Sequence, residues 1–247
     1  TWDEFIDFAA EHVQHLLSQT DVLGFCFSYN ADITPDMDGL VKNIDKEVVV
    51  TGCEGQLVGA SLKAELERRG VSGKKIVVLN DTVAALLGGA AAVDKGSYSG
   101  FIGQISGTGT NTCVSVPRRM IEKLGFQGEQ GMLINLESGM YEGIEDGDFD
   151  ILLDRESNNP GQKNFEKKTA GVYLGELCRL MLVAAAGEGL LSSGSAERVK
   201  GLGRIDSAVI DAWAGGEKLE QAADNEMDTD FVRELSMAMF QRSARCM

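Results

Sequence analysis

IVVLNDTVAALLGGAAAVDKGSYSGFIGQISGTGTNT, residues 76 to 112, decides how the rest of the chain is read. The apolar run Ile76 to Leu79 has the length and β-branching of a buried strand, and it ends on the polar pair Asn80-Asp81. Thr82 then opens a small-residue segment with helical character. Asp81 therefore falls at the carboxyl end of a strand, where open α/β sheets place their ligands. A second apolar run, Phe101 to Ile105, leads through Ser106-Gly107-Thr108-Gly109-Thr110-Asn111 into Thr112 to Val116, which alternates as a strand does. Glycines in such a turn let the backbone approach a ligand closely, and its hydroxyl and N–H groups can hold phosphate oxygens. A carboxylate and a phosphate-cradling turn in this order point to phosphoryl transfer onto a hydroxyl. On its residues alone, Asp81 has a plainer reading as a helix N-cap, since Asp-Thr before an apolar helix is a frequent cap.

Outward from this stretch, other segments carry a resemblance. LNDTVAALLGG and GQISGTGTN, with LGFCFSYN at 23 to 30, INLESG at 134 to 139 and NPGQKNFEKKTAGVYLGEL at 159 to 177, resemble segments of the hexokinase family, in that family's order. The family comprises sugar kinases of the actin-like ATPase superfamily. The resemblance implies an α/β chain of ribonuclease H-like fold, with mixed sheets flanked by helices in two lobes. Residues 1–80 would belong to a small sugar-binding lobe and 81–247 to a large nucleotide-binding lobe. It further implies Asp81 as general base, Ser28, Lys46, Asn80, Asn111, Glu137 and Glu166 as hexose ligands, and glucose as the leading hexose. Gly107, Thr108, Gly109 and Thr110 would hold the phosphates of ATP, with Mg²⁺ shared between those phosphates and water rather than bound by a protein cluster.

Two departures accompany the match. Asp45 stands beside Lys46 where the family has Thr, and Gln162-Lys163 stands where it reads Lys-Gln. The family's first glycine-rich phosphate loop, with its Mg²⁺-associated Asp, is expected before Thr1 and its adenosine loop after Met247, so the chain on its own would turn over poorly. A different class of reading is a non-catalytic sugar-binding or regulatory module of the same fold. An actin-like structural ATPase would leave Lys46, Glu137 and Glu166 without a role.

Composition bounds these readings. The chain has 247 residues, 43% hydrophobic and 25% charged, which is enough material for one large core or two smaller ones. A net charge of −15 opposes binding of nucleic acid and of anionic membranes. The five cysteines, at 26, 53, 113, 178 and 246, are odd in number and without a CxxC pair, the pattern of reduced intracellular thiols; the cytoplasm is the expected compartment. His12 and His15 lie on one early helix and are not read as metal ligands. The acids Glu142, Glu145, Asp146 and Asp148 lack the spacing of a calcium loop.

Periodicity supplies the remaining elements. Helices are expected over 2 to 19, 55 to 70 with Gly70 as C-cap, 82 to 93, 164 to 187, 205 to 213 and 231 to 245. Strands are expected at 23 to 27 and 132 to 136. From residue 31 the acids, Pro35 and Gly39 mark a loop, after which short strand-like pieces flank Asp45-Lys46; 118 to 130 read as irregular strands with turns, and 141 to 158 as an acidic loop with a short helix around Ile151 to Leu153.

Overall fold

A computed structural model describes residues 1–44, 49–125 and 128–247. The chain divides into two compact units, one made of Thr1–Gly103 and Val114–Asn135, the other of Gln104–Cys113 and Leu136–Met247. Each unit has its own apolar core.

In the first unit, α1 (Trp2–Val13) opens on a capping box, in which Thr1 accepts from the Glu4 N–H and Glu4 returns to the cap. Its apolar stripe buries Trp2, Ile6, Ala9 and Ala10. The expected helix to residue 19 stops at Val13; a single 3-10 turn, Leu16–Ser18, follows and keeps Leu17 fully buried. β1 (Val22–Cys26) and β4 (Lys75–Leu79) pair in parallel, with Val22 opposite Lys75 and Cys26 opposite Leu79. A parallel pair needs a crossover, and α2 (Val58–Arg68) lies within the connecting segment. Its N-terminus has no cap of its own. Asp38 supplies one from a distance, accepting from the N–H groups of Gly59 at 2.6 Å and Ala60 at 2.9 Å. The helix ends before Gly70, whose φ of +86° suits the expected glycine stop.

The segment expected as a loop contains β2 (Asn30–Ile33), antiparallel to β3 (Gly39–Asn43), which lies where a strand-like piece is expected before Asp45; Asp32 and Lys42 pair across the two strands at 2.9 Å. Its acids and proline hid the strand because they occupy its exposed face and its turn. α3 (Asp81–Ala91) then packs on β5 (Ile102–Ser106) at Gly103, where a Cβ would stand only 2.7 Å from the Thr82 carbonyl oxygen. Only glycine permits that approach. β5 is followed by β6 (Thr110–Pro117) and β7 (Gly131–Asn135) in the sheet order β5-β6-β7. The irregular strands expected over 118 to 130 are instead single 3-10 turns at Arg118–Met120 and Glu122–Leu124.

The second unit is largely helical. The acidic segment yields α4 (Asp148–Glu156), longer than expected and stapled by a bidentate Arg242–Asp150 contact. The expected long helix from 164 to 187 is two helices, α5 (Asn164–Thr169) and α6 (Gly171–Gly187), broken at Ala170 with ψ of 143°. Contacts on both sides of the break hold it open. Thr169 bonds the Thr110 hydroxyl at 2.9 Å, and the Gly171 N–H donates to the Gly107 carbonyl at 2.8 Å. After α6 comes α7 (Ser193–Lys200), absent from the sequence reading, capped by Ser192 and tied through Ser192 and Ser195 to Asp224. α8 (Ser207–Ala214) and α9 (Glu226–Cys246) complete the core around the fully buried Trp213.

Candidate functional site

The predicted residues among those described fall into two sets, one in each unit. In the first unit the main-chain bond from the Phe27 N–H to the Leu79 carbonyl, 2.8 Å, extends the β1–β4 pairing by one residue. Ser28 and Asn80 are therefore the residues at which the two adjacent strands end. Asn80 is the N-cap of α3, its side-chain oxygen accepting from the Thr82 N–H at 2.9 Å. This corrects the plainer reading of Asp81: the cap is Asn80, and Asp81 is the first helical residue. Asp81 Oδ1 also accepts from the Thr82 N–H, at 2.8 Å, and from its hydroxyl at 3.3 Å. Oδ2 has no hydrogen-bond partner among the described residues, so the half-buried carboxylate is steered through one oxygen and keeps the other for a ligand. Cys26 lies close by: burial and then the Asp81 charge push its thiol above the ordinary range. Lys46, with Asp45 beside it, lies outside the described residues.

In the second unit the residues form two hydrogen-bonded groups that meet at the adjacent residues Thr110 and Asn111. Glu166 sits in the first turn of α5 and its Oε2 accepts from the Thr110 N–H at 3.1 Å. That oxygen is wedged into a corner with glycine on two sides: a Cβ on Gly109 would stand 2.8 Å from it and one on Gly139 3.3 Å. Oε1 accepts from Lys163 Nζ at 3.0 Å. Asn111 reaches Glu137 through its side-chain N–H at 3.3 Å, while its oxygen accepts from the N–H groups of Thr112 and Ser138. Glu137 itself has φ of +51° and ψ of +46°, a left-handed conformation that non-glycine residues seldom adopt and that clusters at ligand sites. The turn after β7 holds it there, with the Ser138 hydroxyl tied to that of Thr112 at 2.8 Å.

The glycine turn divides its labour. The Thr110 N–H and hydroxyl are both committed inside the protein, to Glu166 and to Thr169. The Gly107 N–H closes the turn onto the Gly109 carbonyl at 2.9 Å, and the Gly107 carbonyl receives Gly171. The N–H groups of Thr108 and Gly109, with the exposed Thr108 hydroxyl, are without partners among the described residues. Of the four residues expected to hold phosphate, these two offer donors, and the other two shape the turn. Their chemistry fits an anionic phosphate oxygen. Among the described residues no group of three His, Cys, Asp or Glu could hold a metal ion.

At the Gln162-Lys163 departure it is Lys163 that reaches Glu166. Burial works against its charge, but the Glu166 hydrogen bond and the charges of Glu166 and Glu137 prevail and hold its ammonium above the ordinary lysine range. Ser138, Gly139 and Thr169 position the network and went unassigned, because a hydroxyl or a glycine beside a motif has no periodicity to betray its partner.

Comparison with known proteins gives the family. Two family models, both described as hexokinase, match residues 101–247 and 1–91. Among curated relatives, "Hexokinase-2" of Homo sapiens is 32% identical over 230 residues, 85% of this chain and 24% of the relative. "Hexokinase-4, chloroplastic" of Oryza sativa subsp. japonica is 37% identical over 167 residues, covering 66% of this chain and 32% of the relative. The chain thus spans a quarter to a third of the length of these two proteins. Solved structures agree on the fold. A Schistosoma mansoni hexokinase complexed with glucose superposes with a TM-score of 0.75 at 24% identity, over 99% of this chain and 60% of that one. Another hexokinase crystal structure gives 0.76 at 23% identity, over 99% and 58%. The fold is accordingly the α/β actin-like ATPase fold of those structures, and the chain belongs to the hexokinase family.

Proposed function

We propose that the protein carrying this chain transfers a phosphoryl group from ATP to a hydroxyl of a hexose, glucose first among the candidates and its 6-hydroxyl the acceptor. The observation that carries the reading is Asp81 in a chain of this family: a carboxylate at a strand end, fixed through Oδ1 by Thr82, with Oδ2 open to a ligand. Asp81 accepts the proton of the attacking hydroxyl, an effect typically worth on the order of 10²–10⁴ in rate. Ser28, Lys46, Asn80, Asn111, Glu137 and Glu166 bind the sugar. Carboxylates and amides suit an uncharged polyhydroxylated ligand because each accepts from, or donates to, neighbouring hydroxyls. A glucose-complexed relative of the same fold supports that substrate class.

Thr108 and Gly109 donate to phosphate oxygens in a turn built by Gly107 and Thr110. Bound Mg²⁺ supplies charge neutralisation at the phosphates and is held by them and by water. Phosphoryl transfer passes through a loose transition state, so the protein's contribution is alignment and electrostatics more than covalent chemistry. Residues 1–80 serve the sugar-binding lobe and 81–247 the nucleotide-binding lobe. Five free cysteines suit a reducing compartment such as the cytoplasm.

The alternative, a sugar-binding module that transfers no phosphate, is favoured by Asp45 at the family's Thr position. Separate calorimetric titrations of the intact protein with glucose and with ATP-Mg²⁺ distinguish the two. The kinase reading expects binding of both; sugar heat without nucleotide heat selects the module. An ADP-coupled assay across hexoses then identifies the acceptor.

A further inference from the structure

Glu166 and Lys163 make a contact that the sugar reading does not use. The Glu166 side chain is only 13% exposed, and Oε2 is lodged between Gly109 and Gly139 on the Thr110 N–H. The oxygen left to a ligand is Oε1, and Lys163 Nζ lies on it at 3.0 Å. Lys163 is held in place by its backbone, which adopts a left-handed conformation with φ of +56° and ψ of +41° at the head of α5. Its side chain remains 37% exposed, so solvent and salt reach the pair. The ammonium also lies within the field of Glu137.

Resting on the hexose reading above, we infer that Lys163 is a built-in competitor of the sugar for Glu166. A hexose hydroxyl that donates to Oε1 must share or displace a charge-assisted bond, and a neutral hydroxyl is the weaker donor. Such a contact lowers affinity for an uncharged sugar. It sets the concentration at which the site fills without touching the reacting atoms.

The test is calorimetric titration of glucose, mannose and fructose into the intact protein and into Lys163→Gln and Lys163→Met. Each is measured from about 0.05 to about 1 M KCl, a range over which an exposed ion pair passes from weakly to strongly screened. Both variants are expected to bind hexose about fivefold more tightly, in keeping with the modest net strength of an ion pair that solvent reaches. The parent is expected to gain affinity as salt rises while the variants do not, a dependence that a merely structural lysine would not produce. Unchanged or weaker hexose binding in both variants overturns the competition and leaves the hexose reading standing. No hexose binding by the parent or either variant at any salt overturns both.

Discussion

At the scale of single residues, the candidate site was legible where a side chain's own type marks it as a candidate, and illegible where a residue acts through a neighbour. Asp81, Asn111, Glu137 and Glu166 are carboxylates and an amide at strand ends or in a first helical turn, and their residue type made them candidates. Both Asn80 and Asp81 accept from the Thr82 N–H; Asn80 is the cap because its backbone is still extended, with ψ of 148°, while Asp81 is already helical, a boundary one residue wide that residue type does not set. Glu137 shows what geometry adds. Its left-handed backbone costs of order 1 kcal/mol or more, a strain glycine would not feel. Glu137→Gly and Glu137→Ala both lose the contact with Asn111, but only the first relieves the backbone. Urea denaturation should find the glycine variant more stable than the alanine variant by about 1 kcal/mol. Equal stabilities would mean the conformation is not strained. Both variants should weaken hexose binding, which separates the residue's role in binding from its effect on folding.

At the scale of elements, the strand-turn-strand around SGTGTN and the β4-to-α3 junction were written in local pattern, whereas the division of 164 to 187 into α5 and α6 was not. Nothing between Phe165 and Ala184 breaks the 3.6-residue period. The interruption at Ala170 comes from bonds to residues some sixty positions earlier, Thr110 and Gly107, which no local window contains. β2 was missed for the opposite reason, its polar residues being a solvent-facing strand rather than a loop. Close packing offers a sharp test. In α6, a Cβ on Gly175 would stand 2.4 Å from the Ile205 carbonyl oxygen and 2.5 Å from that of Asp206. Helix propensity favours alanine over glycine by about 1 kcal/mol, while overpacking against backbone costs about 1–3 kcal/mol or more. The contact should win, so Gly175→Ala is expected to lower Tm by several degrees; a rise in Tm would show that α6 can shift away from the segment before α8.

At the scale of the whole molecule, two cores and a net charge of −15 shape stability. Trp2 belongs to one core and Trp213 to the other, so Trp213→Phe leaves a fluorescence reporter of the first unit alone. Both units contain carboxylates held below the ordinary range. Hydrogen bonds from Arg68 and Arg69 take Glu65 to about 2 in the first unit. In the second unit Lys167 lowers Asp154, and the Ser192 and Ser195 hydroxyls lower Asp224. A depressed folded-state pKa gives stability that is present above the unfolded value near 4 and is lost as pH falls through the folded value. Tm is therefore expected to hold from about pH 8 to about pH 5 and to drop below about pH 4, by tryptophan fluorescence for both reporters. A Tm that rises on acidification would contradict these pairings. The most direct measurement of what Asp81 does is kcat for ATP-dependent glucose phosphorylation by the intact protein and by Asp81→Asn, with the glucose Kd of each. Asp81→Asn is expected to reduce kcat by about 10²-fold or more at a Kd changed by less than about threefold, because the amide keeps the shape and hydrogen-bonding reach but cannot accept the proton. A variant whose kcat stays within about tenfold of the parent would contradict it.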